Sequence, residues 1–230
     1  EDNRKRVLSM SCLYHLPLSP FCRKIRLVLA EKKLQADLVE EPVWEKRSEF
    51  KVMSHFLKVP VLKIDGFIIS ESNAIFEYVE EMYPEPSLLP LTMPGRIEAR
   101  RFAYWFDDTF HRDVTSKLLY QRVYSKLSRS LQADPSLMKS GMIAMKHHLN
   151  YVDTILDERR WLAGDIMTVA DFAGAAHISS LDYMGDIDWN GFTSIKNWYA
   201  KIKSRPAFRS LLTDYLPTFI PPKHYADLDF

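Results

Sequence analysis

Ser19 stands immediately before Pro20 in the run Ser19-Pro20-Phe21-Cys22-Arg23-Lys24, and a hydroxyl in that place has two uses. As the cap of a helix opening at Pro20 it satisfies N–H groups that have no partner inside the helix. Those N–H groups and the helix dipole also make a partly positive spot that favours a thiolate, to which the hydroxyl could donate. The second segment is Lys58-Val59-Pro60-Val61-Leu62, a proline after a β-branched residue at the opening of an apolar run. A cis bond there turns the N–H and C=O of Val59 outward to pair with an extended peptide; a trans bond makes Pro60 an ordinary strand-start proline. Lys58 beside it offers an ammonium to a carboxylate, or is a solvated lysine. In the third segment, Glu71-Ser72-Asn73-Ala74-Ile75, Ser72 can cap the next helix and hold a carboxylate at its N-terminus, while Glu71 suits an α-ammonium. Together the three segments would hold a small thiol peptide with an amino-acid end.

Other reactive residue types carry less. Cys22 reads as a redox-active thiol or, more simply, as a small apolar filler, and Cys12 as core. Two cysteines ten residues apart make no disulfide framework and point to a reducing cytoplasm. His147 and His148 are neighbours and so point apart on a helix, which gives no metal site. His15 lies near Ser19 and is read as a cleft residue or a structural strand-end histidine. Thr168-Val169-Ala170-Asp171 has capping-box spacing and a structural role.

The positioning elements follow from the pattern. Residues 11–16 and 37–40 read as strands, separated by a helix with Phe21, Ile25, Val28, Leu29 and Leu34 at helical spacing. A short helix is predicted over 48–53. Asp65-Gly66 makes a hairpin between the apolar runs 59–64 and 67–69, and a helix over 72–81 buries Ile75, Phe76 and Val79. The order β-α-β-α-β-β-α is that of a thioredoxin-like domain. Pro84, Pro86, Pro90 and Pro94 form a linker. After it, helices are predicted over 96–129, 137–158, 169–183 and 193–204. The first would span roughly 50 Å, so a kink or break is expected in it. Its inward candidates are Ile97, Phe102, Trp105, Phe106, Phe110, Val114, Leu118 and Leu127. The domains are read as 10–84, the linker 85–95, the helical domain 96–216 and a tail 217–230. Residues 1–9 read as a polar extension, native or left over from expression, that lacks the apolar middle of a signal peptide.

The 31 basic and 30 acidic residues leave a formal charge of +1, which argues against nucleic acid held by bulk charge and against a polybasic membrane anchor. With no run of about 18 apolar residues, no membrane insertion is expected.

The chain resembles the glutathione transferase superfamily over nearly its whole length, through the run from Ser19, Lys58-Val59-Pro60, Glu71-Ser72, the stretch Trp161 to Asp171, Trp198 and Arg205-Pro206-Ala207-Phe208. The resemblance implies an N-terminal thioredoxin-like domain followed by an all-helical domain. It implies Ser19 as the hydrogen-bond donor to the glutathione sulfur, and Lys58 and Val59, with Pro60 cis, as contacts to the glutathione backbone. Glu71 and Ser72 match the γ-glutamyl site. Where family members commonly have Asn-Pro-x-Gly, this chain has Ser54-His55-Phe56-Leu57, so the wall of the glutathione cleft is expected to be reshaped.

Within the superfamily the chain is similar to the GST-like cell-division proteins of alphaproteobacteria, which bind the tubulin-like GTPase FtsZ as a dimeric scaffold. The likeness rests on Pro42-Val43-Trp44-Glu45-Lys46-Arg47, Trp105-Phe106-Asp107, Gly185-Asp186-Ile187-Asp188-Trp189 and the ending Pro221-Pro222-Lys223-His224-Tyr225-Ala226-Asp227-Leu228-Asp229-Phe230. It implies a homodimer, with Trp44 flanked by Lys46 and Arg47 as a partner-binding anchor. The tail would present Tyr225 and Phe230 to a second division protein, or strap them onto its own domain. The expectation is a cytoplasmic FtsZ-binding scaffold with a vestigial glutathione site and no metal. The alternative is a serine-type transferase conjugating glutathione to electrophiles through Ser19.

Overall fold

The computed structural model describes residues 11–129, 132–217 and 219–228. They divide into two compact units: the described residues up to Ser87 together with Pro206–Asp214, and Leu88–Arg205 together with the chain from Tyr215.

The first unit is a four-stranded mixed sheet with helices. Strands β1 (Cys12–His15), β2 (Asp37–Glu40), β3 (Val61–Ile64) and β4 (Phe67–Ser70) lie in the order β2-β1-β3-β4. β1 and β2 run parallel, while β1–β3 and β3–β4 are antiparallel. The parallel pair is joined by α1 (Pro20–Glu31), as such a pair requires a crossover. Asp65 and Gly66 both take positive φ (50° and 82°), the two-residue turn that suits the twist of a hairpin. Helices α2 (Ser48–Met53) and α3 (Ser72–Met82) complete the element order read from the sequence. Leu13, Ile25, Val28, Phe50, Val61, Leu62, Ile75 and Val79 are fully buried and form the core.

α1 departs from the usual one-sided helix. Besides its apolar stripe it buries Arg23, Lys24 and Arg26. Arg23 and Arg26 both donate to Oδ2 of Asp214, at 3.0 and 2.9 Å, and Arg26 also donates to the Ser210 carbonyl at 2.9 Å. This network explains why Pro206–Asp214, assigned from the sequence to the helical domain, clusters with the first unit. His15 faces the same two arginines; burial, helped by Arg26 and Arg23, lowers its pKa to about 4.

The second unit is helical. α4 (Met93–Trp105) continues without a gap through a π-helical segment Phe106–Thr115, α5 (Ser116–Leu119), a second π segment Tyr120–Tyr124 and α6 (Ser125–Ser128). The expected break in this stretch takes the form of these two wider-wound segments. Phe102, Phe106, Phe110, Val114 and Leu118 point inward as expected, but Ile97 does not: at 60% exposure it lies on the outer face. α7 (Pro135–Glu158) is capped by Asp134, which accepts from the Ser136 N–H. α8 (Val169–Tyr183) carries the capping box of Thr168 and Asp171, and α9 (Thr193–Lys203) follows. α8 is buried along its entire length, so it forms the axis of this unit. Among the described residues no helix is long and apolar enough to cross a membrane.

The tail is corrected at Tyr225. Its ring is 1% exposed and meets Tyr183 edge-on at 5.1 Å, while Lys203 donates to the His224 carbonyl at 2.8 Å. His224 Nε2 lies 3.0 Å from Oδ1 of the buried Asp182. Tyr225 is therefore packing within its own unit and presents no surface to a partner. Phe230 and residues 1–9 lie outside the described residues.

Candidate functional site

The register of the sheet decides where the three segments meet. Tyr14 pairs with Val61, so the start of β3 lies at the C-terminal end of β1. Val61 in turn pairs with Ser70, so the end of β4 lies there too. The chain leaving β1 reaches Ser19, the chain entering β3 carries Lys58, Val59 and Pro60, and the chain leaving β4 carries Glu71 and Ser72. All three stand at one end of one sheet. The parallel pair His15↔Glu40 brings the end of β2, and hence the approach to Trp44, to that same end.

Ser19 is the N-cap of α1, with Pro20 at the first helical position. Its Oγ accepts from the Cys22 N–H at 3.4 Å, and the residue is 7% exposed. The hydroxyl also hydrogen-bonds the Cys22 side chain, a contact it must give up to reach an incoming acceptor. Cys22 is fully buried, its sulfur accepts from the Leu16 N–H at 3.5 Å, and burial raises its pKa to about 11 against the Ser19 hydrogen bond. A thiol in that state is an apolar filler, because the thiolate is the reactive form.

The Val59–Pro60 peptide is cis. The ladder of β3 begins at Val61, so the N–H and C=O of Val59 lie outside it. Just before it, the Ser54 hydroxyl accepts from the Lys58 N–H and donates to the Lys58 carbonyl, both at 3.0 Å. Leu57 takes φ 52°, the left-handed region that glycine enters most easily. The segment Ser54-His55-Phe56-Leu57 thus makes its turn without asparagine or glycine. Phe56 is 76% exposed, so its bulk is turned to solvent.

At the third segment the sequence reading is corrected. The N-cap of α3 is Glu71, at φ 70° and with no side-chain cap bond, and Ser72 is the first helical residue. The first-turn N–H groups of α3 therefore lack a capping side chain, and the Ser72 hydroxyl stands among them, largely buried. That combination accommodates a carboxylate.

Lys24 was missed. It is fully buried, and its Nζ donates to Asn73 Oδ1 at 2.8 Å, locking the second turn of α1 to the first turn of α3. Nothing in the sequence signals this, because lysine is ordinarily solvated. Ser54 was also missed, although a serine closing a short helix is a known local backbone-binding residue.

Of the partner-binding candidates, Trp44 sits in a 3-10 turn (Val43–Glu45) and is half-buried. Lys46 is exposed at φ 51°. Arg47 is exposed but not idle: its Nε and Nη2 both donate to the carboxylate of the fully buried Glu41. Its first role is to neutralise that carboxylate and hold the turn in place. Among the described residues no group of three or more His, Cys, Asp or Glu could hold a metal ion.

Comparison with known proteins agrees with this fold. The model of the glutathione S-transferase N-terminal domain matches residues 13–87, and that of the glutathione S-transferase C-terminal domain matches residues 138–214. The chain is 41% identical to FtsZ-localized protein A of Caulobacter vibrioides (strain NA1000 / CB15N) over 222 residues, 95% of this chain and 97% of that one. It superposes on FzlA from C. crescentus with a TM-score of 0.92 at 40% identity, covering 96% of this chain and all of that one. A glutathione S-transferase from Rhodospirillum rubrum F11 superposes with a TM-score of 0.91 at 44% identity and the same coverage.

Proposed function

The chain belongs to the glutathione S-transferase family, and on that premise we propose that it is a cell-division scaffold that binds and organises FtsZ filaments. One observation carries this reading: the 41% identity, over 95% of the chain, to a protein named for its localisation with FtsZ. The surface that meets FtsZ is the turn around Trp44, with Lys46 beside it. An aromatic ring held by a turn and rimmed by charge is the composition of a binding hot spot. The Arg47–Glu41 pair fixes that turn in the folded unit, which lowers the ordering cost on binding. The protein acts as a cytoplasmic homodimer; two such turns then bind neighbouring filament subunits with an affinity neither has alone. The end of the chain, including Phe230, contacts a second division protein.

The groove at the sheet end carries the second reading, a serine-type transferase, favoured by Ser19 capping α1 at the same sheet end as the cis Val59–Pro60 peptide. Glutathione bound there supplies a nucleophilic sulfur. Ser19 donates to that sulfur and favours its ionised form. The Val59 peptide groups pair with the extended backbone, Lys58 meets a carboxylate, and Glu71 and Ser72 hold the ammonium and carboxylate of the γ-glutamyl end.

FtsZ co-sedimentation, glutathione binding and conjugation, measured on wild type, Trp44→Ala and Ser19→Ala, test both readings. The scaffold predicts pelleting with FtsZ that falls at least about tenfold in Trp44→Ala, the loss of one hot-spot residue. Conjugation abolished by Ser19→Ala in a protein that never pellets with FtsZ would reverse the assignment.

A further inference from the structure

At the opposite end of the sheet from Ser19, where β1 and β2 begin, the first unit holds a pocket of about 620 Å³ that the reading above does not use. Its inner lining includes Ser11, Arg26, Leu29 and Leu34, all buried, with Ala30 on the wall and Asp37 exposed at the mouth. Two of these lining residues each carry a buried side-chain atom with no hydrogen-bond partner: Ser11 Oγ and Arg26 Nε. Ser11 is 4% exposed and Arg26 5%. The rest of the Arg26 guanidinium is engaged, Nη1 with Asp214 and Nη2 with the Ser210 carbonyl. Asp214 is itself shared with Arg23, so one carboxylate serves two guanidiniums.

Buried polar groups are nearly always paired, and an orphaned N–H on a buried cation is the more costly kind. Two such groups beside apolar walls match a small molecule with an acceptor at one end and hydrocarbon at the other. We propose that this pocket binds a small monocarboxylate with a short apolar body. One carboxylate oxygen accepts from Arg26 Nε–H, the other from the Ser11 hydroxyl, and the hydrocarbon lies against Leu29, Ala30 and Leu34. Asp37, solvated at the mouth, disfavours a second negative charge on the ligand.

The probe is octanoate, titrated into the isotope-labelled full-length chain and followed by NMR at the Arg26 Nε–H and Ser11 amide signals. Both should shift saturably. Ser11→Ala should bind about fivefold to tenfold more weakly, the equivalent of one hydrogen bond. Ala30→Trp, which fills the wall, should abolish the shifts while leaving the remaining spectrum folded, and neutral octanamide should bind more weakly than octanoate. The proposal is overturned if Arg26 Nε–H stays unmoved up to high millimolar octanoate. It is equally overturned if Ala30→Trp leaves the affinity unchanged, or if octanamide binds as well as the anion.

Discussion

Replacing Ser19 by alanine separates its two roles, because the structure sets a small value on one of them. The cap bond to the Cys22 N–H is 3.4 Å long, beyond the ~2.7–3.2 Å of good N–H···O bonds. Capping residues are typically worth ~1 kcal/mol, so this one should fall in the lower half, about 0.5–1 kcal/mol. Denaturant titration should therefore show a slightly lower midpoint with an unchanged slope, since no core surface is exposed. Thermal unfolding should move by about 2–4 °C for each kcal/mol lost in a chain of this size. A hydrogen bond to an ionised sulfur is worth more, about 1.5–3 kcal/mol, so any glutathione conjugation should fall roughly tenfold to a hundredfold. FtsZ pelleting should stay within about twofold of wild type, because Ser19 is nearly buried and its loss leaves the Arg47–Glu41 pair that holds the Trp44 turn intact. A stability loss above about 3 kcal/mol would refute the assignment of Ser19 as a weak cap. Loss of pelleting in a folded Ser19→Ala protein would show that the groove, not the Trp44 turn, meets FtsZ.

Other outcomes follow from the same packing. Asp171→Asn should destabilise by about 2–4 kcal/mol in denaturant unfolding, because Oδ1 receives the Leu162 and Trp198 N–H groups and Oδ2 the Thr168 N–H, and an amide nitrogen can face neither set. Gly174→Ala places a methyl carbon 3.0 Å from the rings of Phe106 and Trp198; overpacking against two rigid rings outweighs the gain in helix propensity, for a net loss of about 1–2 kcal/mol by calorimetry. Glu98 hydrogen-bonds Arg101 and then Arg159, which together hold its carboxyl at about 2 against the ordinary 4.5. Its contribution is present above pH 4.5 and disappears as pH falls toward 2, so stability measured across that window should slope less steeply in Glu98→Gln. The side chain is 27% exposed, so the effect should stay below about 1 kcal/mol.

What could be read from the chain was whatever neighbours in sequence decide. Ser19-Pro20, Asp65-Gly66 and Thr168 to Asp171 each specify a local backbone geometry through groups a few residues apart, and all three stand where they were expected. The apolar spacing of α1 and α3 and the proline-rich linker fall in the same class. Local signals fail where distant partners intervene. Ser72 looked like a cap, yet Glu71 takes that position because the chain leaving β4 turns through positive φ. Ile97 has the spacing of a core residue but lies on the outer face of α4.

The sequence alone determined the order of elements in the first unit and the family resemblance. It could not say that Arg23 and Arg26 are buried, because their counter-charge, Asp214, arrives 191 and 188 residues later. Nor could it choose between a free and a packed Tyr225, which depends on Tyr183, Lys203 and Asp182 on other helices. The reason is energetic. A cap or a turn is settled by bonds within a few residues, whereas a buried charge or ring is tolerated only where the whole chain has assembled its partners around it.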